Sequence, residues 1–187
     1  MRTLLVVALG VTALAADIQR PAALASAVKS GQRAVVIEMI ANKSADVNAA
    51  EADGSTPLLW AANLNDTDLA ARLLKAGADP KARNLLGSTP LAEAAFNSNS
   101  AMIKALLDAG ADPNASGPDG QTPLMIVART SNVEAAKLLL AKGANPNAKE
   151  AQRGQTALMW AAAASQGPMM RALLAAGAEV DVKSFPD

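Results

Sequence analysis

The chain has 187 residues, enough for one ordinary domain or a short array of repeated units, and its 17 basic and 17 acidic residues cancel, so no cationic surplus points to nucleic acid or an anionic membrane. It holds no histidine and no cysteine, which excludes Ser-His-Asp and Cys-His catalysis and the usual His/Cys sites for zinc, copper, haem and iron–sulfur clusters. Alanine supplies 45 residues and aromatics only 2%, a mix that suits closely packed helices and argues against a sandwich or barrel, whose strands want β-branched and aromatic side chains.

The first element reads as an address. Arg2 and the amino terminus precede an apolar run, Leu4 to Ala16, too short to span a bilayer comfortably and ending in Ala13-Leu14-Ala15, a small-x-small cleavage pattern. The expectation is a signal peptide over residues 1–15, cleaved after Ala15, with an uncleaved membrane tether as the alternative. Cleavage removes Arg2 and leaves a net charge of −1. A chain without cysteine has neither disulfides nor a lipoprotein anchor, and the bacterial periplasm is the expected compartment, with no membrane association once the leader is gone.

The remaining residues, 16–187, are built from one unit used about five times, over about 20–47, 48–80, 81–113, 114–146 and 147–183. Four openings align: Gly54-Ser55-Thr56-Pro57-Leu58, Gly87-Ser88-Thr89-Pro90-Leu91, Gly120-Gln121-Thr122-Pro123-Leu124 and Gly154-Gln155-Thr156-Ala157-Leu158. Between them recur Leu73-Leu74-Lys75-Ala76-Gly77-Ala78-Asp79, Leu106-Leu107-Asp108-Ala109-Gly110-Ala111-Asp112, Leu139-Leu140-Ala141-Lys142-Gly143-Ala144-Asn145 and Leu173-Leu174-Ala175-Ala176-Gly177-Ala178-Glu179. Met39 to Asn48 is a divergent first copy, one residue longer, in which Ser44 is read at the glycine's place. A fixed period of this length signals a stacked array. Each Thr is expected to cap a first helix, with Pro at its first position; each Gly is expected to end a second helix. The Pro-, Asn- and Gly-containing stretches between read as hairpin-like fingers.

These motifs resemble the ankyrin repeat, whose opening is Gly-x-Thr-Pro-Leu-His-x-Ala-Ala and whose close is Leu-Leu-x-x-Gly-Ala-Asp-x-Asn. The resemblance covers about residues 20–183 and implies an all-α solenoid of about five helix-turn-helix units with β-hairpin-like fingers. Leu59, Ala92, Met125 and Met159 stand where the family has His, which takes away a polar tie and shifts the expected cohesion toward apolar packing. Trp60, Glu93, Ile126 and Trp160 follow in one column, and a turn later come Asn63, Phe96, Arg129 and Ala163, which brings Glu93 within expected reach of Arg129. Asp46, Asp79 and Asp112 recur once per unit, too far apart for a calcium cage, and read as turn-formers.

The resemblance implies a module that binds another protein through its finger tips and concave inner-helix face, without cofactor, metal or catalysis, and monomeric when alone. Carried onto this chain, the expected partner-binding residues are Asn63, Leu64, Arg83, Leu85, Leu86, Phe96, Asn97, Pro118, Arg129 and Thr130, with Glu150 among the residues of the last finger tip. Leu64, Leu85, Leu86 and Phe96 should form an apolar patch bordered by Arg83 and Arg129. The partner roles considered are inhibition of, or immunity to, a periplasmic enzyme or toxin, and support of an envelope enzyme that deals with oxidative stress. A carboxylate-based hydrolase has no motif behind it.

Overall fold

The computed structural model describes residues 22–184; the expected leader and the last three residues lie outside them. Five helix pairs follow one another: α1 (Ala23–Lys29) and α2 (Arg33–Ala41), α3 (Pro57–Asn63) and α4 (Thr67–Lys75), α5 (Pro90–Phe96) and α6 (Ser100–Asp108), α7 (Pro123–Ala128) and α8 (Val133–Ala141), α9 (Ala157–Ala163) and α10 (Gly167–Ala175). There is no strand among the described residues. The first members form an inner row, α1 on α3 on α5 on α7 on α9, and α4, α6, α8 and α10 form an outer row. Ala61, Ala94 and Ala161 are fully buried in the inner row, where the lack of a long side chain lets backbones approach. Leu73, Leu106, Leu139 and Leu173 are fully buried on the outer helices. Such units bury their apolar faces only against their neighbours.

The caps follow the sequence reading. The Thr56, Thr89, Thr122 and Thr156 side chains accept N–H bonds from Leu59, Ala92, Met125 and Met159, and Pro57, Pro90 and Pro123 open their helices. Asp66, Asn99 and Asn132 cap α4, α6 and α8 in the same way. At the helix ends, Gly77, Gly110, Gly143 and Gly177 take positive φ, as a glycine C-terminal to a helix does. In the first repeat that place is held by Lys43, at φ 53°, rather than by Ser44, because the Lys43 N–H closes the last turn onto the Ile40 carbonyl.

The repeats are tied by more than apolar packing, a departure from what the missing His residues suggest. Leu59 and Met125 are buried at that place, and the polar ties sit elsewhere. Asn99 donates to Asn65 and Thr67, Asn132 to the Ser98 carbonyl, and Asn97 to the Ala62 carbonyl, all across repeat boundaries. Asp46, Asp79 and Asp112 each accept the N–H two residues on, the turn role expected of them.

Two further ladders join the fingers. In the first, Asn48, Asn114 and Asn147 donate to the Gly77, Gly143 and Gly177 carbonyls and accept from the N–H groups of Asp79, Asn145 and Glu179. In the second, Leu85 N–H donates to the Asp53 carbonyl at 2.8 Å, and Ala151 N–H to Asp119 at 2.7 Å. Both are interrupted at one place, the seam between the second and third fingers. Lys81 stands where the first ladder needs Asn, and Pro118, with no N–H, stands where the second needs a donor. A cavity of about 120 Å³ opens there between Lys81, Leu91, Ala111 and Ala115. Arg83 spans the gap, donating to the Gly87 carbonyl of its own finger at 2.8 Å and to the Ser116 carbonyl of the next at 2.6 Å.

Candidate functional site

The face shared by the inner helices and the fingers carries four large apolar side chains in the open. Leu85 is 80% exposed, Leu86 78%, Phe96 61% and Leu64 51%. Leu85 and Leu86 are lifted by the tight turn of the second finger, whose Asn84 side chain accepts the Leu86 and Ser88 N–H groups. Phe96 ends α5 and Leu64 caps α3, so both sit where their helices leave the packed row.

Leu86, Phe96 and Pro118 come together. With Ala92 and Ile126 they line a hollow of about 350 Å³ that straddles the seam. The close approach of the two fingers depends on Gly87, at φ 77°: a Cβ there would lie 2.7 Å from the Pro118 ring. Leu64 and Leu85 lie outside that lining.

The polar residues expected beside the patch are engaged within the protein. Asn63 donates to Glu93 at 3.0 Å, and Asn97 to the Ala62 and Asn63 carbonyls. Thr130 donates to the Val127 carbonyl and accepts from Asn132 N–H. Arg83 holds the seam, as described. Glu93 does not meet Arg129: it takes Ser88 Oγ at 2.6 Å and Asn63, while Arg129 lies 5.3 Å from the centre of the Trp160 ring. The indole of Trp160 donates to Gln155, so the guanidinium covers a ring already fixed by its own hydrogen bond. Trp60 is built alike, with its N–H on Glu51 and the Lys29 ammonium 4.6 Å above its ring, itself paired with Glu51 at 3.1 Å. A cation so placed is held by the ring quadrupole. Each end of the inner row thus presents a cation stacked on a half-buried tryptophan, and the neutral apolar patch lies between them.

Glu150, expected at a finger tip, is buried. Its carboxylate accepts the N–H groups of Gln152, Arg153 and Gln155 and folds the longer fourth finger around itself. Those donors, Gln155 first, hold its pKa below the usual value against the opposing effect of burial. Nothing in the sequence marks Glu150 except the extra residue of that finger.

Among the described residues no group of three or more His, Cys, Asp or Glu is placed to hold a metal ion, and no helix is long and apolar enough to cross a membrane. No curated protein matches the chain. A family model for ankyrin repeats, three copies long, matches residues 24–117 and again 91–184, which between them take in all five helix pairs. Repeats of this kind make protein–protein interaction modules, and the chain belongs to the ankyrin-repeat family.

Proposed function

We propose that the mature chain is a non-catalytic, monomeric binding module of the bacterial periplasm, and that its protein partner docks on the patch of Leu64, Leu85, Leu86 and Phe96. The observation that carries the reading is the hollow walled by Leu86, Phe96 and Pro118, with two of those side chains mostly exposed. Isolated apolar side chains on a surface are ordinary, but a cluster around a cavity suits a partner's apolar anchor. Asn63, Arg83, Asn97 and Thr130 are held by hydrogen bonds within the protein, and Arg129 lies over the Trp160 ring. A buried aromatic contact at an interface centre commonly costs about 2 kcal/mol or more when cut to Ala, about thirtyfold in affinity. Exposed side chains such as these contribute within about 0.5 kcal/mol to folding. Phe96→Ala with Leu85→Ala should therefore weaken partner binding at least about thirtyfold while leaving the denaturation midpoint nearly unchanged. A clear stability loss with unchanged affinity would assign these side chains to packing instead.

Export rests on the Ala13-Leu14-Ala15 pattern after a short apolar run. Intact-mass measurement of protein from a periplasmic extract should show the loss of residues 1–15. A full-length cytoplasmic product would refute that part of the reading.

A further inference from the structure

The other face of the molecule has its own irregularity. The outer row is continuous from α4 to α10, but α2 stands off α4. Their first turns are tied, since Arg33 reaches both Asp66 and Asp68, and the space between them lies toward the other end, beside Ile40, Ala41, Lys75 and Ala76. The one-residue insertion in the first repeat lies at that end, after Lys43. Between the helices is a groove of about 610 Å³, within the size range of small-molecule sites.

The composition of α2 is what such a groove needs. Val35, Val36, Ile37, Met39 and Ile40 place apolar side chains all round its axis, a pattern of helices covered on every side, yet only Val36 and Met39 are buried. Ile37 occupies the outward position that holds Lys104, Lys137 and Arg171 in later repeats. It forms the apolar lining with Ile40, Ala45 and Val47. The rim is cationic: Lys43, Arg72 and Lys75 line the groove against the single carboxylate of Asp46, which is taken up by the Asn48 N–H. Arg72 is paired with Asp68, while among the described residues Lys43 and Lys75 have no carboxylate within salt-bridge distance. Their two full charges exceed the partial negative charge at the ends of α2 and α4.

We propose that this groove binds one molecule of a free long-chain fatty carboxylate, with the alkyl chain along Ile37, Ile40 and Val47 and the carboxylate between Lys43 and Lys75. The site is separate from the finger-side patch and does not depend on it. Each methylene withdrawn from water is worth about fourfold in affinity, so chain length is a direct readout of a partly open apolar groove.

The test is isothermal titration of the full chain with dodecanoate below its micelle threshold. The expected result is saturable binding at one site. Octanoate and dodecyltrimethylammonium should each bind at least about tenfold more weakly, the first for lost apolar contact and the second for the wrong charge. Lys43→Glu with Lys75→Glu should weaken dodecanoate at least about tenfold, because exposed cations become repulsive. Ile37→Lys, which installs the residue type of the later repeats, should abolish binding by putting an ammonium on the alkyl track. If that variant fails to fold, the charge-reversed pair and the dodecanoate-dependent amide shifts of Ala45 and Val47 decide the same question. Phe96→Ala should leave the affinity unchanged. The proposal is overturned by absence of saturable binding, by insensitivity to chain length or head charge, or by binding that survives Ile37→Lys. It is equally overturned by association only with phosphatidylglycerol vesicles, or by magnetisation contacts from residues 4–16 to Ile37 or Val47 in the ligand-free chain.

Discussion

Glu150 shows how a single side chain can be read correctly by type and wrongly by role. A carboxylate on a finger invites a surface reading, yet three backbone N–H groups converge on it. Because its folded pKa is lowered, the stability it contributes is complete above the unfolded value, near 4.5, and is lost as pH falls through the folded value. Asp108, held to about 2 by Lys104 and Lys142, adds a loss in the same direction beginning below its ordinary 3.8. Denaturant titrations from pH 7 to pH 3 should show falling stability below about pH 4.5, and Glu150→Gln should flatten the Glu150 share of that slope. The same fall in the variant would trace it to other carboxylates. Arg83 is a parallel case: the sequence shows a cation near a patch, but only the finger geometry shows two carbonyls waiting for it.

Among the elements, what recurs as one residue type at one spacing was legible. The Thr caps, the opening prolines and the closing glycines all fall where the sequence places them. The caps of α4, α6 and α8 were not, because Asp66, Asn99 and Asn132 change type and sit in turns of variable polarity. The ladder of Asn48, Asn114 and Asn147 was visible as letters but not as bonds, since its partners are carbonyls a repeat away. The groove beside α2 was likewise hidden, because it depends on the space between two helices. Lys81 is the gap in the Asn ladder, and filling it is a direct test. Lys81→Asn should add bonds to the Gly110 carbonyl and the Asp112 N–H, each worth about 0.5–1.5 kcal/mol net. Chemical denaturation should show a gain of about 1 kcal/mol or more, and no gain would mean that the third finger is already fixed by Arg83.

For the whole molecule, stability in such an array is close to a sum over neighbouring repeats, so one weak junction stays local and is not averaged away. The seam puts two repeats on one side and three on the other. Repeats stack at about 10 Å, so a rotation of about 10° at that junction would carry the far end of the array through about 5 Å. The hollow of Leu86, Phe96 and Pro118 opens across the same junction, which makes any side chain seated there a wedge that sets the bend of the array. The chain has no native cysteine, so spin labels can be placed at will. Labels at Lys104 and Lys137, one repeat apart across the seam, should give a broader distance distribution than labels at Lys137 and Arg171, one repeat apart beyond it. Equal widths would mean that Arg83 alone keeps the joint as stiff as its neighbours. In mechanical terms, a broader distribution there would make the replacement of one asparagine by lysine and one N–H by a proline ring the elbow between two arms, with the patch in its crook.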